Sequence, residues 1–141
     1  MLLDQENLFS NDQDFFHTAT TSTTTYSTNV IDLGAADSGN AADIRLLCQV
    51  TEAAASASSL TMDFQLQTAA DTAFTTPTTV CSTGALAKTA LVVGYDVPLF
   101  PILPESLNRY LRIAFVQAGE VGTAGQVMAG LVADIQTNKN G

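Results

Sequence analysis

Strict alternation of apolar and polar side chains governs this chain from Asn29 onward, and it leaves few folds open. In "LTMDFQLQT", Leu60, Met62, Phe64 and Leu66 fall on one side, while Thr61, Asp63, Gln65 and Gln67 fall on the other. A strand turns successive side chains to opposite faces, so this period of two describes a half-buried ribbon. "IRLLCQVTE" repeats it with Ile44, Leu46, Cys48 and Val50. "RYLRIAFV" sets Leu111, Ile113 and Phe115 against Tyr110, Arg112, Ala114 and Val116. "QVMAGLVADIQ" aligns Val127, Ala129, Leu131, Ala133 and Ile135. Shorter strands are expected at "NVIDLG", ended by Gly34, and at Thr78 to Ser82. Short strands at a spacing of roughly 8–12 residues, divided by turn signals, predict an all-β sandwich or barrel.

Between the strands, "AADSGNAAD" is a turn-rich loop and "ADTAFTTP" a loop carrying Phe74. "TEAAASASS" is expected to be a loop with one helical turn. "LVVGYDVPLFPIL" is broken by Gly94, Pro98 and Pro101; proline cannot donate to a ladder, which assigns this part to an edge or a bend. Upstream, the apolar Leu2, Leu3, Leu8 and Phe9 alternate with acids, and "TATTSTTTYSTN" has no apolar partner face. Residues 1–28 are therefore expected to be an N-terminal arm and Thr-rich linker, with a short strand as the alternative for the threonines. Residues 29–136 form the β-sandwich domain and residues 137–141 a C-terminal tail.

The charge pattern narrows the partners. The 141 residues carry a net charge of −9, and only 13% are charged, about half the usual share of roughly 25%. Arg45, Lys88, Arg109, Arg112 and Lys139 are scattered. Nucleic-acid binders neutralise phosphates with clustered Lys and Arg, so neither nucleic acid nor an anionic membrane surface is an expected partner. The opening residues have acids where a secretory leader needs bases, which points to synthesis in a cytoplasm. Cys48 and Cys81 sit in apolar strands and are expected to be buried free thiols.

Catalytic patterns are thin. His17 is the one histidine, without the positioned partners that a nucleophilic triad needs, and no zinc spacing occurs. Asp12 and Asp14 read as an acidic arm. Asp32, Asp63 and Asp134 could converge as a glycosidase pair does, but Asp63 and Asp134 face away from the apolar stripes. "GEVGTAG" lacks the helix and lysine of a phosphate cradle and reads as a turn. No enzyme activity, metal or cofactor is expected. Arg109 and Arg112, three apart on a strand, point to opposite faces; each is either a surface charge or an interface residue, since a guanidinium forks onto carboxylates and backbone oxygens.

Five segments in order, "MLLDQENLFS", "STNVIDLG", "LQTAADTAFTTP", "NRYLRIAFVQAG" and "TAGQVMAGLVAD", resemble the capsid cement, or decoration, proteins of tailed bacteriophages. The Thr-rich stretch is longer than that family's pattern, and "AADSGNAAD" lacks its Gly-Glu-Pro type turn. The resemblance implies a jelly-roll-like antiparallel β-sandwich with an extended N-terminal arm and no catalytic residues. It implies a structural virion protein, made in the host cytoplasm and placed on the outer capsid surface, where it cements neighbouring major capsid protein subunits and stabilises the expanded head. The expected partners are the major capsid protein and further copies of the chain, a dimer being favoured over a trimer. Expected contacts are Leu2, Leu3, Leu8 and Phe9 of the arm, together with Arg109 and Arg112. On that expectation, deleting the first ten residues leaves folding intact. The alternative is a carbohydrate-binding β-sandwich module on a virion surface.

Overall fold

A computed structural model describes residues 5–36, 45–99 and 107–132. Its strands are β1 (Leu8–Asp14), β2 (Thr23–Tyr26), β3 (Ile31–Asp32), β4 (Arg45–Ser56), β5 (Thr61–Ala69), β6 (Thr78–Ser82), β7 (Leu86–Ala87), β8 (Tyr110–Ala118) and β9 (Gly122–Val132). Sheet A has the order β1-β9-β4. Sheet B has the order β2-β8-β5-β6, with β3 extending β2 along β8 and β7 extending β6 along β5. The strand pairings are antiparallel. Residues Gly94 to Val97 run along the open edge of β4: Gly94 N–H donates to Val50 O (2.8 Å), Val50 N–H to Tyr95 O (2.9 Å) and Val97 N–H to Cys48 O (2.8 Å). This segment acts as a fourth strand of sheet A. Within the broken stretch, Gly94 to Val97 lie at an edge, and the two sheets have the strand order of a jelly roll.

The apolar faces meet between the sheets. Phe64 and Phe115 lie opposite each other in the β5–β8 register, with ring centres 5.6 Å apart, edge to face, and Phe15 stands 5.6 Å from Phe64. Val127, Ala129 and Leu131 of β9 and Leu46, Cys48 and Val50 of β4 close the core from sheet A. Burying each large apolar side chain is worth about 1.5–3 kcal/mol. Gly125 makes room for Phe15: an added Cβ would stand 2.5 Å from Phe15 Cζ, and φ is +140° there.

The N-terminal segment departs from the expected arm. β1 pairs with β9, and Phe9 and Phe15 are fully buried in the core. The apolar residues that suggested a docking arm are needed to fill the sandwich, which begins at Leu8 rather than Asn29. Part of the threonine run also joins a sheet, Thr23–Tyr26 forming β2 against β8. A single polar side chain explains how a segment without an apolar face packs there. Gln117, 1% exposed on the inner face of β8, accepts from His17 N–H at 2.7 Å. Its amide donates to His17 O at 3.0 Å and to Thr20 O at 2.7 Å. Between β1 and β3, Asn29 N–H donates to Phe9 O at 3.0 Å, and Gln13 bonds both Tyr26 O and Thr28 N–H.

Two further expectations are corrected. "TEAAAS" is not a helical loop but the second half of β4, opposite Gln126, Ala124 and Gly122 of β9 through a bulged register. The ladder supplied by β9 outweighs the intrinsic helical preference of alanine. The turn expected over Gly119 to Gly125 is shorter, because β9 already starts at Gly122. Ile44, Ala133, Asp134, Ile135 and the 137–141 tail lie outside the described residues.

Candidate functional site

The outer face of sheet B carries the most organised set of polar side chains. Since Leu66, Phe64, Ile113 and Phe115 point inward, Asp63, Gln65 and Gln67 of β5 and Arg112, Ala114 and Val116 of β8 point outward. They stand in register as Gln67 opposite Arg112, Gln65 opposite Ala114 and Asp63 opposite Val116. Arg112 Nε donates to Gln67 Oε1 (2.9 Å), Gln67 Nε2 to Gln65 Oε1 (a long 3.5 Å), and Gln65 Nε2 to Asp63 Oδ2 (2.7 Å). Asp63 also accepts from Ser82 Oγ at 2.7 Å and Thr83 Oγ1 at 3.3 Å. An arginine can only donate and a carboxylate can only accept. Both glutamine amides are therefore held in one orientation, and the row runs donor to acceptor from Arg112 to Asp63.

Arg112 also packs against two aromatic rings. Its guanidinium carbon lies 3.7 Å from the centre of the Tyr26 ring and 4.2 Å from that of Phe74. β2 delivers Tyr26 opposite Ala114. Phe74 comes from the loop after β5, at a φ of +52° that costs a non-glycine residue energy. Asp71 fixes that loop by accepting from Thr75 N–H at 3.0 Å, and this bond holds its carboxyl below the usual carboxylate range. Among the described residues no acceptor meets Nη1 or Nη2 of Arg112, and neither atom is fully buried.

Arg109 is engaged differently. Its Nε and Nη2 donate to the two carboxylate oxygens of Asp32 at 2.7 and 2.8 Å. Together with the Gly34 N–H, at 2.8 Å, this fork lowers the Asp32 carboxyl to about 2, and Asp32 in turn raises the Arg109 guanidinium.

Of the other expected contact residues, Leu8 is half-buried on the outer face of sheet A beside Gly130. Phe9 is a core residue, 0% exposed, and is withdrawn as a contact. Leu2 and Leu3 lie outside the described residues. The structure thus brings Arg112, but not Arg109 or Leu8, into the organised face of sheet B. Sequence reading missed Tyr26 and Phe74 as its partners. Two signals were present: glutamine at alternate outward positions of β5, and an Asp–Thr pair bracketing Phe74, the composition of a side-chain-capped turn.

A second feature is a shallow hollow of about 350 Å³ lined by Ala53 to Ser56, Lys88, Thr89, Leu91 and Val92. Val92 and Val93 beside it are 51% and 67% exposed. Lys88 Nζ donates to Ser56 O at 2.8 Å within it. Tyr26 is the one aromatic among the exposed large apolar side chains of the described residues, so those residues present no row of rings for stacking sugars. No three His, Cys, Asp or Glu side chains among them gather to hold a metal. Cys48 and Cys81 are buried free thiols; burial, with a contribution from Asp96, pushes Cys48 far above the ordinary thiol range.

No curated protein matches the chain at a significant level. The sequence profile of the Bbp16 family matches residues 15–131. That span opens at the core residue Phe15, takes in every strand except β1 and stops one residue short of the end of β9, and on this match the chain belongs to the Bbp16 family.

Proposed function

We propose that this chain is a structural virion protein that binds the outside of a phage head and cements neighbouring major capsid protein subunits. The family name is of a kind given to phage proteins, in keeping with the resemblance of its sequence segments to decoration proteins. The observation that carries the reading is the outer face of sheet B. It presents glutamines and Val116 between one carboxylate and one arginine that are both tied in place. Such a surface suits rigid docking against protein, because few charges must lose water and few side chains must be ordered. A protein that binds the expanded lattice and not its broken form stabilises the head by mass action. Leu2, Leu3, Leu8 and Arg109 are further contacts on this reading, and copies pair across local twofold axes in preference to forming trimers.

The test is co-sedimentation of the purified protein with expanded, undecorated heads and with compact precursor heads. Binding to the expanded form alone is expected. Absence of binding to expanded heads, or equal binding to both, overturns the proposal.

A further inference from the structure

The two arginines of β8 and its approach differ in one respect with a chemical consequence. The Arg109 fork is filled by Asp32 of its own chain, whereas the Arg112 fork is built and left open. Arg112 has its Nε anchored on Gln67 and its guanidinium carbon within 3.7 and 4.2 Å of the Tyr26 and Phe74 ring centres, and its Nη groups are not fully buried. A guanidinium normally loses side-chain freedom when it binds; here that loss has already occurred in the folded chain. Two rings packed against a guanidinium favour polar approach at its N–H edge, where paired N–H groups match the two oxygens of a carboxylate.

We propose that the Arg112 Nη edge is a carboxylate-recognition site, at which the outer face of sheet B takes an Asp or Glu side chain of the capsid protein it docks on. The partner assignment rests on the capsid-binding reading; the fork itself does not. A carboxylate is favoured over a polyphosphate because the chain carries a net charge of −9, which repels an extended polyanion but tolerates a single charge brought to a fixed fork. The side chains that flank Arg112 along the sheet, Gln65, Gln67 and Val116, are uncharged, and the carboxylates of β5 and the loop after it, Asp63 and Asp71, are engaged by Gln65 and Ser82 and by Thr75.

Two measurements test this. In the first, the full-length ¹⁵N-labelled protein is titrated with sodium acetate, against sodium chloride at equal ionic strength, while the Arg112 side-chain N–H signals are followed. A saturable shift with acetate alone is expected; identical, non-saturating shifts with both salts overturn the site. In the second, Arg112→Lys, which keeps the charge and loses the fork, and Arg112→Met, which fills the space between the rings without charge, are compared with the unaltered protein for binding to expanded heads. Each variant is first checked by its thermal melt. A loss of about tenfold or more is expected for both, as for removal of a charge-assisted pair; either folded variant binding as well as the unaltered protein overturns the capsid assignment. If the unaltered protein fails to bind heads at all, the capsid reading fails, and the acetate titration still decides whether the fork recognises carboxylates.

Discussion

Asp32 is bonded from two sides, by the Arg109 guanidinium and by the Gly34 N–H. Its folded value of about 2 lies below the ordinary 3.8. The unfolded chain therefore takes up the proton first as pH falls. What the pair contributes to stability is complete above about pH 4 and is lost on the way down to about pH 2. Both side chains are 45% exposed, so the contribution is small and screened by salt. The Asp32 carboxyl ¹³C resonance is expected to titrate with a midpoint near 2. In Arg109→Gln it should move only part of the way to the ordinary value, because the Gly34 N–H remains. A midpoint unchanged by that substitution would show that Arg109 does not hold the carboxylate in solution.

At the scale of elements, one buried amide joins the segment between β1 and β2 to the sandwich. Gln117→Leu keeps much of the side-chain volume but strands the His17 N–H and the His17 and Thr20 carbonyls, at a cost of about 1–3 kcal/mol for a buried unsatisfied group. Urea unfolding should show that loss, and the His17 amide should exchange faster with solvent. This amide also marks where sequence reading stops. β5 from Met62 to Leu66 and β8 from Leu111 to Phe115 were legible to the side chain, because the inward positions there are large apolar residues in strict alternation. β2 was not, because Gln117 does for the threonine segment what a leucine face does elsewhere, and no local pattern announces a polar anchor from a distant strand. The second half of β4 was hidden for a related reason: alanine and serine carry little strand signal, and the ladder from β9 decides their conformation. The stacking of Arg112 between Tyr26 and Phe74 was illegible because three separate elements meet there. Its outward direction, in contrast, followed from the alternation of β8.

At the scale of the molecule, the sandwich depends on its N-terminal residues more than their composition suggested. Removing residues 1–10 takes Leu8, Phe9 and Ser10 out of β1, and loss of the Phe9 ring alone is worth about 3–5 kcal/mol. A large fall in melting temperature is expected for that truncation, in place of the intact folding that a free arm implies. Removing only residues 1–3 spares all of β1; it should hold the melting temperature and weaken head co-sedimentation, which tests Leu2 and Leu3 as contacts. The row of side chains from Arg112 to Asp63 has a consequence for assembly of a different kind. Because every amide in it faces the same way, the two ends cannot be interchanged, and a lattice site complementary to it would be satisfied in one rotational setting and mismatched when the protein is turned end for end. Copies arriving from solution would then adopt a common heading on the shell without any further device to orient them.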